Sequence, residues 1–358
     1  MHMGCSFCGK EKTSSNKLIK GKLITGDVTY ICDNCIEKCN KALNTNITTG
    51  KNISKYLPNL IYDKLDKVVE GHDRVKKILS VAAYGHYQRN FIDSSIEKSN
   101  ILLIGPSGSG KTFIVEQLAK ILDVPLVIVD ATSMTEAGFA GEDVDICITR
   151  LLQETGYDVS KAEKGIVLID EIDKIKKSSN SGTNRDVSGE GVQQALLKLI
   201  EGKTVIVNNK KSMLEQSIKV NTKNILFICS GAFTGLDKIV TQDIYGSNMT
   251  LNQDIHRVIE DDSWSEHLNQ NHLIKFGLIR EFVGRLHIYS VLEQLTIKQL
   301  ENILDKKDNS ILHQFKKRFA LSGVDFSWTS GAVTNIAEEA LKTKLGARGL
   351  RSMLEARL

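Results

Sequence analysis

Three groups of residues in this chain have the types and spacing that chemistry requires. The first is Gly105-Pro106-Ser107-Gly108-Ser109-Gly110-Lys111-Thr112, which follows an apolar run at 101–104 and opens an amphipathic stretch. Glycines so spaced let backbone N–H groups turn toward a polyphosphate, and a following helix adds the positive end of its dipole. The lysine neutralises β and γ phosphates and the threonine hydroxyl is offered to Mg²⁺. The second group is Asp170-Glu171, directly after the apolar run 166–169. Carboxylates at the C-terminal end of a parallel strand face the crevice where such sheets bind ligands. There Asp170 would hold the metal and Glu171 would polarise an attacking water, completing a phosphoryl-transfer site. The third group is Cys5, Cys8, Cys32 and Cys35, two Cys-x-x-Cys pairs with 23 residues between them. That gap slightly exceeds the ~15–20 typical of four-cysteine zinc sites, but two such knuckles still complete a thiolate tetrahedron around Zn²⁺.

These groups need a scaffold, and the rest of the sequence describes one. The chain has 358 residues, 41% apolar, 25% charged and 6% aromatic, enough for two or three domains with real cores. Disordered, collagen-like and disulfide-stapled classes are excluded by that composition. Apolar runs stop at four or five residues, far short of the ~18–20 of a membrane helix, and the N-terminus lacks the apolar core of a secretory signal. A soluble, cytoplasmic protein is expected. With 47 basic against 43 acidic residues, charge alone argues for neither a nucleic-acid nor a membrane partner. Cys39, Cys147 and Cys229 fall within helix or strand patterns and are expected as small core residues.

Along the chain, residues 44–58 lose periodicity and become rich in Asn, Thr, Lys and Ser, as a linker does. Beyond them, short apolar runs at 100–104, 126–129, 166–169 and 225–229 alternate with helical spacing near 75–83, 113–122, 143–154 and 192–200. That alternation predicts an α/β fold, a parallel sheet flanked by helices. After about residue 292 the pattern turns helical, with a single short strand expected at 324–328. The stretches 208–222 and 241–271 are polar and aperiodic and are expected as long loops. The organisation is therefore a zinc-binding module at 1–43, a linker at 44–58, a large nucleotide-binding domain at 59–288 and a small, mostly helical domain at 289–358.

In order, the blocks Cys-Ser-Phe-Cys-Gly-Lys (5–10), Tyr-Ile-Cys-Asp-Asn-Cys (30–35), the phosphate loop, Asp-Glu-Ile-Asp-Lys-Ile (170–175), Phe-Gly-Leu-Ile-Arg-Glu-Phe-Val-Gly-Arg-Leu (276–286) and Gly-Ala-Arg-Gly-Leu-Arg-Ser (346–352) resemble the AAA+ ATPases, and within them the ClpX family. The resemblance implies an ATP-dependent protein unfoldase and translocase, working as a homo-oligomeric ring of six subunits that feeds protein substrates to a ClpP-type peptidase. It places Arg285 at the arginine finger, which reaches the γ-phosphate held by a neighbouring subunit, and Arg348 at the sensor-2 position. It also implies that Phe139 and Ala140, within Gly138-Phe139-Ala140-Gly141, form the pore loop that grips substrate, and that Arg185 begins a second pore loop. The zinc module would recruit adaptors or substrates.

The chain departs from the family pattern in several places. No Ile-Gly-Phe-like peptidase-docking tripeptide occurs between 236 and 276. Asn-Asn-Lys-Lys stands at 208–211 for an Arg-Lys-His cluster. Glu70 replaces an apolar residue expected near the adenine, where Tyr87 follows in the next helix. Arg280 and His287 stand where the family has proline, and the small domain is expected to be cut short. Two other readings accompany the main one: a free-standing remodelling chaperone without a peptidase, and a zinc-containing nucleic-acid motor.

Overall fold

A computed structural model describes residues 4–11, 18–22, 28–39, 56–135, 142–177, 189–209, 216–245, 263–307, 310–343 and 345–358. The chain divides into two compact units, Met1–Leu57 and Pro58–Leu358. In the first, β1 (Leu18–Lys22) and β2 (Val28–Cys32) form an antiparallel pair with Leu18 opposite Cys32. Ser6 N–H donates to the Tyr30 carbonyl at 2.8 Å, tying the first cysteine loop to β2. Residues 33–39 are helical. Cys39 is exposed, contrary to the core position its helical pattern suggested: no residue of this short helix is buried, and Cys39 lies a turn beyond Cys35, the last cysteine of the cluster.

The second unit is built on a five-stranded, all-parallel sheet. β3 (Asn100–Ile104), β4 (Leu126–Asp130), β5 (Ile166–Asp170), β8 (Leu226–Gly231) and β9 (Leu286–Val291) lie in the order β9-β3-β8-β5-β4. All residues of β3 and β8 are buried, as strands covered on both faces must be, and this is why their stretches 101–104 and 226–229 are continuously apolar rather than alternating. The helices are α1 (Pro58–Val68), α2 (Asp73–Phe91), α3 (Lys111–Leu122), α4 (Ile146–Glu154) and α5 (Glu190–Gly202). They bury Leu118, Ile148, Leu151 and Leu196 against the sheet. The α/β class and flanking helices expected from the sequence are thus present.

Some expectations fail for identifiable reasons. The stretch 208–222 is not one long loop: β6 (Thr204–Asn209) and β7 (Gln216–Asn221) pair antiparallel, with Val205, Val207 and Val220 inward and Ile206 outward. Its outward Asn, Ser and Lys residues hid the period-two pattern. The interval 241–271 begins inside a helix, α6 (Leu236–Tyr245), and ends in α7 (Gln270–Phe276). β9 contains His287 at a register break between Leu286 and Ile288, a position without a ladder partner in β3. Proline is compatible with such a bulge, so histidine there replaces a residue the ladder does not need.

After β9, a mainly helical region comprises α8 (Ile297–Glu301), a π-helical turn at Asn302–Lys306, α9 (Ile311–Leu321), α10 (Ser330–Lys342) and α11 (Ala347–Glu355). Its own core includes Leu300, Leu312, Ile336 and Leu350. The strand expected at 324–328 is absent. No described segment pairs with it, and Phe326 and Trp328 instead pack on Phe319 and His313 while Trp328 Nε1 donates to Asp305 at 3.0 Å. No described helix is long and apolar enough to cross a membrane.

Candidate nucleotide and zinc sites

The phosphate loop runs from the end of β3 into α3. Gly105, Gly108 and Gly110 all have positive φ (156°, 77° and 95°). Two of these glycines are also enforced by proximity. A Cβ on Gly105 would lie 2.4 Å from the Leu292 carbonyl oxygen, and one on Gly108 would lie 2.2 Å from that of Leu345. Lys111 Nζ donates to the carbonyls of Gly105 and Pro106 at 2.7 and 2.9 Å, so the ammonium is held over its own loop. Burial lowers its pKa; Asp170 opposes this and Arg348 adds to it. Ser109 Oγ is buried without a partner among the described residues, a hydroxyl suited to a ligand entering the loop.

Asp170 ends β5 beside that loop. Its Oδ2 accepts from Thr112 Oγ1 at 3.3 Å, while Oδ1 accepts from Ser230 Oγ at 2.6 Å and from the Glu171 N–H at 2.9 Å. The carboxylate is thus aimed from three sides, and Ser230, at the end of β8, is a participant that the sequence reading missed. Glu171 is exposed, with its backbone left-handed at φ 57° and ψ 32°. A non-glycine residue there stores strain of the kind found at functional sites. Asp173, also missed, is buried and accepts from the N–H groups of Ala232 and Phe233 at 3.2 Å each, fixing the turn after β8.

Residues 107–112, Asp170, Glu171 and Asp173 line one cavity of about 650 Å³, together with Arg348 and the apolar Val69, Leu295, Ile303 and Ile311. Arg348 enters it from the first turn of α11. The Ala347 N–H donates to the Gly108 carbonyl at 3.2 Å, and Gly346 at φ 56° makes that approach. Glu70 also lines the cavity and is charge-compensated: Oε1 accepts from Asn302 Nδ2 at 2.8 Å and Oε2 pairs with Lys307 Nζ at 3.1 Å. The Lys307 N–H to Asn302 carbonyl bond that closes the π turn belongs to the segment supplying both groups. Tyr87 does not line the cavity. It is buried and stacked on Phe91, and His72 takes a place there, its Nε2 2.9 Å from the Ser109 carbonyl. Arg285 lies outside the cavity, its Nη2 2.6 Å from Glu201 Oε1. Phe139, Ala140 and Arg185 lie outside the described residues.

In the first unit, the Sγ atoms of Cys5, Cys8, Cys32 and Cys35 all lie within 4.8 Å of one another. Cys8 and Cys32 Sγ are 3.7 Å apart. Four thiolates at ~2.3 Å from a tetrahedral Zn²⁺ would be about 3.8 Å apart, so the cluster fits the ion. Burial pushes the Cys5 thiol up, but N–H groups of Cys8, Phe7 and Cys32 outweigh it and hold it down at about 6. That favours the thiolate form at Cys5, whereas hydrogen bonding to Cys8, burial and the other neighbouring thiols push Cys35 up to about 12, a proton that a bound Zn²⁺ would have to displace.

Residues 4–45 match the family described as ClpX C4-type zinc finger, 96–289 the AAA domain (Cdc48 subfamily), and 295–358 the C-terminal D2-small domain of ClpB protein. Over 366 aligned residues the chain is 43% identical to the ATP-dependent Clp protease ATP-binding subunit ClpX of Borrelia duttonii (strain Ly), covering 98% of this chain and 84% of that relative. The chain belongs to the ClpX family. The protein of that name from Borrelia recurrentis (strain A1) matches with the same identity and coverage. As a ClpX-family AAA+ protein the chain is an ATP hydrolase using ATP and Mg²⁺, and its N-terminal cysteines form a zinc site.

Proposed function

We propose that this chain is an ATP-driven protein unfoldase and translocase that assembles into a six-subunit cytoplasmic ring and passes unfolded substrates to a ClpP-type peptidase. The observation that carries this reading is the single cavity joining the phosphate loop, Asp170-Glu171 and Arg348, with Arg285 outside it. In this reading residues 105–112 bind the triphosphate, with Lys111 on the β and γ phosphates. Thr112 and Asp170 hold Mg²⁺, which when bound spreads the phosphate charge. Glu171 orients and polarises the attacking water. Arg348 responds to the nucleotide from within the same subunit, and Arg285 acts on a neighbour's γ-phosphate, so hydrolysis depends on assembly. Phe139, Ala140 and Arg185 line the pore and press on the substrate chain. The boundaries 1–43, 44–58, 59–288 and 289–358 delimit the zinc, linker, large and small domains.

A second reading, the same motor as a chaperone without a peptidase, is favoured by one feature: no Ile-Gly-Phe-like tripeptide stands between 236 and 276. ATP-dependent unfolding of a tagged protein, measured with and without the peptidase, tests both. Unfolding that never leads to degradation selects the second, and ATPase stimulation by single-stranded DNA but not by unfolded protein discards both. Replacing Glu171 with Gln should leave ATP binding intact and reduce turnover by about 10²-fold or more; turnover at the unmodified rate would remove Glu171 from its assigned role.

A further inference from the structure

A second cavity in the ATPase unit lies at the opposite end of the strands from the nucleotide cavity. It has a volume of about 230 Å³ and is lined by His86 and Arg89 of α2, by Glu97 and Lys98 ahead of β3, and by Leu226 and Ile288 of β8 and β9. Leu226 opens β8, whereas Gly231 at its far end borders the nucleotide cavity, so about 17 Å of strand at ~3.3 Å per residue separates the two.

Its charge is one-sided. Arg89 is buried, donating from Nε to Asn224 Oδ1 at 3.1 Å and from Nη1 to the Ile96 carbonyl. Those bonds use two of five guanidinium donors and bring no negative charge. Among the described residues, Lys98 Nζ has only the Thr222 carbonyl at 3.4 Å and the face of Phe227 at 4.9 Å. His86, the third basic group, donates from Nε2 to the Lys164 carbonyl at 3.0 Å and is the acceptor for Asn90 through Nδ1. Glu97 is exposed, and among the described residues neither cation forms an ion pair with it. The groups meeting Lys98 from β8 and the turn before it are uncharged: the Thr222 carbonyl and the Phe227 ring.

Arginine is seldom buried unless paired, because an uncompensated charge in a poorly hydrated site is strongly disfavoured. A buried Arg89 and a half-buried Lys98 lining one cavity call for an anion. We propose that this cavity binds a small oxyanion, of phosphate or carboxylate type, between Arg89 and Lys98. Burial, with Arg89 beside it, pulls the Lys98 ammonium down to about 7, and no carboxylate opposes that. An anion in the cavity supplies the missing opposition, so it binds with uptake of a proton at Lys98 and weakens as the pH rises above 7.

The test is a side-chain NMR titration of Lys98 in the full chain, with ADP and Mg²⁺ saturating the nucleotide site so that the phosphate loop does not compete. Inorganic phosphate and acetate are added separately at constant ionic strength. The expected result is an upward shift of the Lys98 midpoint in the wild-type chain; in the variants, which lack that signal, calorimetric titration with phosphate should show loss of binding in Lys98→Met and, in Lys98→Arg, retained binding that no longer weakens between about pH 7 and 9. A shift with phosphate alone assigns the phosphate class, with acetate alone the carboxylate class, and with both a general oxyanion site. A midpoint that neither anion moves overturns the proposal, and this reading stands on the wild-type chain even where Lys98→Met fails to fold.

Discussion

His86 shows how a residue far from the chemistry sets a condition on the fold. Burial pushes its imidazole down to about 4; the Lys164 carbonyl resists this, and Lys98 and Arg89 add to it. Because its folded pKa lies below the ordinary 6.5, the unfolded chain takes up the extra proton first. The contribution is fully present above about pH 6.5 and is lost as the pH falls toward 4, by at most ~1.4 kcal/mol per pH unit. Urea midpoints should therefore drop between pH 7 and pH 5, and His86→Gln should flatten part of that drop. Equal slopes in both proteins would mean that the carboxylates alone set the acid response. The phosphate-loop residues and Asp170-Glu171 were readable in advance, since each carries a local motif in a strand or helix context. Ser230, Asp173 and His72 were not, because a lone serine, aspartate or histidine acquires its role only from what the fold brings next to it.

At the scale of elements, the joint between the phosphate loop and the start of α11 is made by backbone. A Cβ on Gly346 would approach the Gly108 carbonyl oxygen at 2.8 Å, and the residue's φ of 56° is itself unfavourable for other side chains. Gly346→Ala is expected to destabilise the unit by about 1–3 kcal/mol and to weaken nucleotide binding, as read by urea denaturation and a nucleotide titration. Destabilisation without any change in affinity would separate this joint from the shape of the cavity. The sequence motif around Arg348 pointed to this helix, but not to the contact, which depends on two segments far apart in the chain. The parallel sheet was legible because buried strands are apolar throughout. The β6/β7 hairpin was not, since only three inward valines mark it, and the extended run at 324–328 shows that strand-like composition needs a partner to become a strand.

At the scale of the whole molecule, the two units hold themselves together differently. Among its described residues the first buries few apolar side chains, Cys5 and Cys32 being two of them, and a metal at the cysteine cluster supplies what a larger core would otherwise provide. Removing zinc with a chelator should expose residues 1–57 to proteolysis while basal ATP hydrolysis persists; persistence of protease resistance would show that the hairpin stands without the ion. The ATPase unit, in turn, keeps Arg285 on its own Glu201, away from its own nucleotide cavity. If Arg285 serves a neighbour, Glu171→Gln and Arg285→Ala proteins should each be inactive alone, and mixing them should restore part of the hydrolysis. No recovery on mixing would place the action of Arg285 within its own subunit. The hydrogen bond from the Ala347 N–H to the Gly108 carbonyl carries a practical warning. Alanine scanning cannot remove an interaction between two peptide groups, so a survey of side chains would pass over the link that seats Arg348. An amide-to-ester replacement at Ala347, which deletes one N–H and leaves every side chain in place, is the change that would reach it.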